Sequence, residues 1–253
     1  MLAPILLAAY LTCPTQDNLI QTQTGDIPII LSAPHGGRTP IPGMPERQGN
    51  GVSKFVAVRD ERTDELAELT SKDIERDIHK RPYMVAANFE RKYVDPNRPA
   101  NEAYESPQGK PYYDAYQQAL TRAKQDVQKR FGAGLLLDLH GQKAEMDSIF
   151  RGTDNGLSIR HLQASKGPQG LDGPQTIVGL LAAEGYPIIP PPGSTAKEGK
   201  FDGGYIVQTY GSANGGTVDA IQLEFGTHLR SKANIEKTAQ ALASAIEGYL
   251  RAR

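Results

Sequence analysis

The sequence predicts an α/β fold: a mixed, mainly parallel central sheet flanked by helices. Two observations predict it. Short β-branched or apolar runs alternate along the chain with longer segments of helical periodicity, the pattern of strands joined by crossover helices. The run "GLLLDL" at 134–139 is apolar almost throughout, as expected of a central strand covered on both faces.

The elements follow in order. The run "IPIILSA" predicts a strand over Ile27 to Ala33, ended by a proline and glycines. Helical periodicity predicts a helix over Thr63 to Ile78, and "YMVAA" a strand over Tyr83 to Ala87. A second long helix spans Tyr112 to Phe131, and the buried strand Gly134 to Leu139 comes next. Pro174 to Glu184 reads as a helix, Tyr186 to Ile189 and Tyr205 to Thr209 as strands, and Asp219 to Phe225 as another strand. The last helix, Asn234 to Leu250, puts Ile235, Ala239, Leu242, Ala243, Ile246 and Leu250 on one face. Two glycine- and proline-rich stretches, 34–53 and 190–204, interrupt the pattern. Loops of that length without structure of their own are often functional.

The chain of 253 residues has no linker-like stretch, and 17–253 reads as a single domain. A chain of this length buries about three quarters of the surface it exposes unfolded, so its core needs no staples. The net charge of -1 argues against a partner among nucleic acids or membrane surfaces, which call for a basic excess. One cysteine excludes an internal disulfide framework and a multi-cysteine metal knot. Within residues 1–16 the stretch "MLAPILLAAYLTC" is apolar but too short to span a bilayer. They read either as a signal-like leader, in which Cys13 sits in a poor context for lipid attachment, or as an added first strand. Localisation, cytoplasmic or secreted, stays open with them.

In open α/β sheets ligands sit at the carboxyl ends of the strands. His35 follows the first strand and His140 follows "LLLDL", each with a glycine after it. Two histidines at one sheet edge suit a mononuclear zinc site completed by a carboxylate, with one open position. Glu46, in the loop after His35, is the favoured third ligand; Asp60, just before the first long helix, is the alternative. Glu224 stands in the apolar run "AIQLEFG". A charge there is costly unless paired or used, and alternation places Gln222 and Glu224 on the face opposite Ile221, Leu223 and Phe225. It reads as a general base for water activation, or else as half of a buried ion pair. Asp138 is close enough to His140 to serve as its hydrogen-bonding partner. Arg91 and Arg98 flank "KYVDPN", and arginine suits bidentate capture of a carboxylate or polarisation of a carbonyl. His79 ends a helix, His161 lies in a polar stretch, and His228 follows Glu224 closely enough to border the pocket. No G-x-S-x-G nucleophile elbow, phosphate loop or G-x-G-x-x-G is present.

The ordered set "SAPHGG", "RDERTDELAEL", "RKYVDPNRP", "LLLDLHG", "FDGGYIVQTYG" and "IQLEFGTHLR" resembles the N-formylglutamate amidohydrolase family across residues 27–230. The resemblance implies the architecture of zinc carboxypeptidases and aspartoacylases, with the metal at the sheet edge. It implies His35 and His140 as histidine ligands, Glu46 as the acid that follows the first, and Glu224 as the residue that activates water. It also implies Arg91 at the scissile carbonyl, Asn97 and Arg98 on a substrate carboxylate, and Tyr205 or Tyr210 at the pocket border. Familiar members read Pro-His-Ser-Gly and Asp-Leu-Asn-Arg where this chain has Pro34-His35-Gly36-Gly37 and Asp95-Pro96-Asn97-Arg98, changes that bear on the substrate more than on the metal.

The sequence therefore leads to a Zn2+-dependent amidohydrolase acting on a small carboxylate-bearing molecule such as an N-acyl amino acid. A zinc peptidase working on peptide ends or cell-wall peptides, and a silent binding protein on the same fold, are the other readings.

Overall fold

The structure, a computed structural model, describes residues 19–253. The leader segment 1–16 and Cys13 lie outside the described residues. In chain order the elements are β1 (Ile20–Gln23), β2 (Ile29–Ala33), α1 (Thr63–Ile78), β3 (Tyr83–Ala87), α2 (Ala100–Ala103), α3 (Lys110–Phe131) and β4 (Gly134–Gln142). Then follow β5 (Ile149–Gly152), α4 (Arg160–Lys166), α5 (Ile177–Ala183), β6 (Ile188–Ile189), α6 (Tyr205–Tyr210), β7 (Val218–Gly226) and α7 (Ile235–Arg251). No helix among the described residues is long and apolar enough to cross a membrane.

The strands form one sheet in the order β1-β3-β2-β4-β7-β5-β6. The central four, β3, β2, β4 and β7, are parallel. β1 runs antiparallel on β3, and β5 runs antiparallel on β7 and carries β6. The sheet is mixed and mainly parallel at its centre, with helices on both sides.

The register explains why one face can carry chemistry. In a parallel pair, residues in register share a face, and successive residues alternate. Leu135, Leu137 and Leu139 of β4 stand beside Ile221 and Leu223 of β7, and with Phe225 they pack under α1, α5 and α7 in one apolar core. The other face begins apolar, with Ile30, Leu136 and Ala220 under α3. It then turns polar toward the carboxyl ends. Ser32, Asp138 and Gln222 form one row, and His140 and Glu224 the next. Asp138 is completely buried and is held by the Ser32 hydroxyl, which donates to Oδ1 at 2.7 Å.

Three expectations change. β4 runs on through His140 to Gln142, so His140 sits within the strand rather than after it. Its pairing with β7 continues to the end, which holds the imidazole beside Glu224. Tyr205 to Thr209 is not a strand but most of the short helix α6. Its buried residues Ile206, Val207 and Tyr210 fall at helical spacing, and the Ile206 N–H donates to Asn97 Oδ1 at 2.8 Å. Tertiary packing and one satisfied N-terminal amide thus override the β propensity of "YIV". The predicted helix from Pro174 starts only at Ile177, where Thr176 Oγ1 accepts the Gly179 N–H.

Candidate metal centre and cleft

β2 ends at Ala33, and the chain turns through Pro34-His35-Gly36-Gly37. The two glycines are steric necessities. A Cβ on Gly36 would run into the backbone of Asp64 at the start of α1, and one on Gly37 into the backbone of Asn88 and Phe89 after β3. The tight passage carries His35 back over the sheet edge. It also brings the loop round so that the Asp60 N–H donates to the His35 carbonyl at 2.9 Å, placing Asp60 against the histidine.

Three donor atoms converge there. His35 Nδ1 lies 3.1 Å from His140 Nδ1 and 3.3 Å from Asp60 Oδ2, and His140 Nδ1 lies 3.1 Å from the same oxygen. Donors about 2.0–2.2 Å from a tetrahedral zinc stand roughly 3.3–3.5 Å apart, so the triangle is slightly smaller than one face of such a site. Each imidazole has its other nitrogen on a carboxylate: His35 Nε2 on Asp95 Oδ1 at 2.6 Å, and His140 Nε2 on Asp138 Oδ2 at 2.8 Å. These short contacts assign the ring protons to Nε2. Both Nδ1 lone pairs and an Asp60 oxygen then face one another. Three acceptors at that spacing repel unless a cation or a proton lies between them, so the donor set fits a divalent metal.

The charges agree. Burial opposes ionisation of Asp60, but His140, His35 and Arg91 outweigh it and hold the carboxyl well below the usual range. Asp95 is likewise held low against its burial, by Arg91, His35 and Arg47. Without a metal, burial works against a charged His140, yet Asp138 and Asp60 raise its pKa well above the ordinary value. A proton then takes the place of the cation.

Glu224 stands beside His140 in register, 8 % exposed. Burial is the main reason its carboxyl is pushed up to about 7, opposed by His140 and Arg91. Gln222 donates to its Oε1 at 3.0 Å and accepts the Gly204 N–H at 2.8 Å, tying the glutamate to the 190–204 loop. Arg91 donates from Nε to Asp95 Oδ2 at 2.9 Å, with Nη1 3.7 Å from Asp60 Oδ1. Asn97 turns its oxygen to Ile206 and brings its amide nitrogen within 3.3 Å of His140 Nε2. Arg98 donates to the Lys54 carbonyl at 3.1 Å. A cleft of about 1050 Å³ opens over these groups, lined by His35, Asp60, Arg91, Asn97, Arg98, His140, Tyr205 and Glu224 among others.

Two expected residues lie elsewhere. Glu46 is exposed and pairs with Lys92 at 2.9 Å, away from the histidines. The loop from 36 to 59 crosses the surface before it returns, and the acid that returns with it is Asp60. Tyr210, the last residue of α6, is buried, donates to the Gln117 carbonyl at 2.9 Å and does not line the cleft. His228 is exposed on Asp147 and His161 pairs with Asp219, while His79 caps α1 in the left-handed region, φ 54°; none belongs to the cleft.

Three contributors went unassigned in the sequence. Asp95 gathers His35, Arg91 and the Asn97 N–H; the turn-forming "DPN" marked its place but not its partners. Gln222 was visible only as the neighbour of Glu224. Arg230, 4 % exposed, lines the cleft and donates to the Phe225 and Glu61 carbonyls, with no signal in its local sequence.

No family model matches the chain, and no curated protein matches it. Solved structures do. One is described as N-formylglutamate amidohydrolase from Ralstonia eutropha: TM-score 0.65, 17 % identity, with 92 % of this chain and 99 % of that one covered. Another is a gene product of Agrobacterium tumefaciens: TM-score 0.57, 14 % identity, with 94 % and 96 % covered. At these identities the likeness concerns backbone architecture, and it spans nearly the whole of each protein. The chain has the fold of the Ralstonia N-formylglutamate amidohydrolase structure.

Proposed function

We propose that this protein is a zinc-dependent hydrolase that cleaves an amide bond in a small carboxylate-bearing substrate, an N-acyl amino acid such as N-formylglutamate. The observation that carries the proposal is the triangle of His35 Nδ1, His140 Nδ1 and Asp60 Oδ2, with each histidine backed by a carboxylate and a buried glutamate alongside. The shared fold is consistent with it.

His35, His140 and Asp60 would hold the metal, with Asp95 and Asp138 orienting the imidazoles. A zinc ion bound there supplies Lewis acidity, which acidifies water and polarises an amide carbonyl. Glu224 has one oxygen held by Gln222, leaving the other to take the proton of the attacking water. The new C–O bond forms at the carbonyl carbon, the C–N bond breaks, and Glu224 returns the proton to the departing amine nitrogen. Arg91, fixed by Asp95 and Asp60, offers positive charge to the carbonyl oxygen as negative charge develops on it. Arg98, together with the Asn97 amide nitrogen, binds the substrate carboxylate, and Tyr205 borders the substrate.

The test pairs metal content with turnover. Plasma mass spectrometry should find about one zinc per chain in protein purified without a histidine tag, lost in His140→Ala. Amine release from a panel of N-acyl amino acids should require that metal and Glu224. A folded, metal-free wild type that takes up no added zinc would refute the proposal.

A further inference from the structure

The cleft is larger and more cationic than a single N-acyl amino acid requires. Pockets of roughly 300–1,000 Å³ enclose drug-sized ligands, and N-formylglutamate has only about a dozen non-hydrogen atoms. At about 1050 Å³, most of the cleft would stay outside such a substrate. Eight lysines and arginines line it against five aspartates and glutamates, in a chain whose net charge is -1. The positive excess is concentrated at the site.

The cations fall into two groups. Arg91 is committed to Asp95 and Asp60 beside the histidines. Lys54, Lys143 and Lys200 are exposed, come from three separate segments, and have no carboxylate in ion-pair range among the described residues. Among the described residues the Arg98 guanidinium has only the Lys54 carbonyl as a hydrogen-bond partner, so Lys54 and Arg98 are neighbours. Arg59, on the same loop, has a buried Nε with no hydrogen bond among the described residues, a group that an incoming acceptor would satisfy. Three lining acids, Glu61, Glu102 and Asp202, also have no side-chain ion pair among the described residues, so the excess is moderate and selects by position. Val56 and Val58, 40 % and 62 % exposed, add an apolar strip on the 53–62 loop that suits the aliphatic stems of a peptide.

We infer that the cleft holds an acidic peptide rather than a single amino acid, with a second carboxylate bound outside the reacting amide by Lys54 and Lys200. The inference rests on the hydrolase reading above and specifies its substrate class. One residue of the peptide occupies the Asn97–Arg98 end. The next residues run between loops 53–62 and 200–205, their backbone along Val56 and Val58 and their side-chain carboxylates toward the two lysines.

The test is calorimetric titration of Glu224→Gln protein carrying one equivalent of zinc, with N-acetylglutamate, N-acetyl-triglutamate and N-acetyl-triglutamine as ligands. The triglutamate is expected to bind at least about tenfold tighter than either of the others, with an affinity that falls as salt rises. K54E and K200E are each expected to shrink the ratio between triglutamate and N-acetylglutamate. Equal affinities for one residue and three, equal affinities for glutamate and glutamine chains, or no binding of any would overturn the inference. If the Glu224 variant fails to fold, chelator-stripped wild type takes its place. Turnover by the zinc-loaded wild type separates the two proposals. Preferential binding without cleavage of any amide keeps the acidic-peptide site and defeats the hydrolase reading. Cleavage of N-formylglutamate with no preference for the longer chain does the reverse.

Discussion

The Nδ1 atoms of His35 and His140 lie 3.1 Å apart although the residues are separated by 105 positions in the chain. With both Nε2 atoms donating to carboxylates, two neutral imidazoles present lone pairs to each other, and only a proton or a metal cation between them relieves the repulsion. A cation placed between them binds only the folded chain and should stabilise it. At a free zinc concentration of about 100 times Kd the gain is about 2.7 kcal/mol, which for a chain of this size is a Tm rise of roughly 5–10 °C. Differential scanning calorimetry with and without a chelator measures it. An unchanged Tm, in protein known to have lost its zinc, would contradict the site.

Asp60 and Glu46 can be told apart directly. Asp60→Asn should abolish stoichiometric zinc binding, because the third donor becomes a neutral amide. Glu46→Gln should leave it intact, since Glu46 contacts Lys92 instead. Competition against a chromophoric chelator reads both, and zinc lost from the Glu46 variant alone would reverse the assignment.

Asp138→Asn tests the support beneath His140. The amide keeps the shape but no longer fixes the ring proton on Nε2. Loss of such partners typically costs about 10–100-fold in metal affinity. Ser32, which donates to Asp138, should show a smaller effect as Ser32→Ala. Full-strength zinc binding by the Asp138 variant would mean that the imidazole is oriented by something else.

The metal-free protein should lose stability as pH rises. Burial pushes Glu224 up to about 7, above the roughly 4.3 of an exposed glutamate. Between those values the folded state binds more protons than the unfolded, so stability falls as pH rises through the window. His140 extends the trend. Its raised pKa, set by Asp138 and Asp60 against its burial, gives stability that is complete below about 6.5 and lost as pH rises through the folded value. Asp60 and Asp95 are held low and give stability present above about 3.9, lost only in acid. Urea midpoints on chelated protein should therefore decline between about pH 5 and 8, and Glu224→Gln should flatten the lower half of that range. A rising profile would refute this account.

Glu224→Gln should also lower amide turnover by about 10²–10⁴-fold while zinc binding persists, the range for loss of a positioned proton acceptor. Retained activity would remove Glu224 from the chemistry.

Much of this was legible in the sequence, and the rest fails for identifiable reasons. The helices Thr63–Ile78 and Asn234–Leu250 announce themselves because length and periodicity agree, and "GLLLDL" because a strand buried on both faces has little choice of residue. His35, His140 and Glu224 stand out as polar groups where apolar ones belong. Asp60 could not be chosen over Glu46 because both lie on one long loop. Its path depends on Gly36 and Gly37 fitting against segments distant in sequence. "YIVQT" has strand composition, so its sequence points away from α6, and the Asn97 side chain, more than a hundred residues away, ends the ambiguity. β1, β5, α2 and α4 are too short or too polar to carry a periodic signal.

The sheet has one face that is mainly apolar, with Asp219 and Arg151 as its buried exceptions, and one that grades from leucine to aspartate to histidine, and this division separates two kinds of inheritance. Substitutions among Leu135, Leu137, Leu139, Ile221 and Leu223 act on how long the molecule survives. Substitutions in the Ser32, Asp138, Gln222 and His140, Glu224 rows act on what it does. Because the sheet lies between the two sets, their effects should combine nearly additively when the sites are more than about 7–10 Å apart. A lineage could therefore explore new reactions on one surface while accumulating robustness on the other, and related chains can diverge far in sequence while keeping the same scaffold.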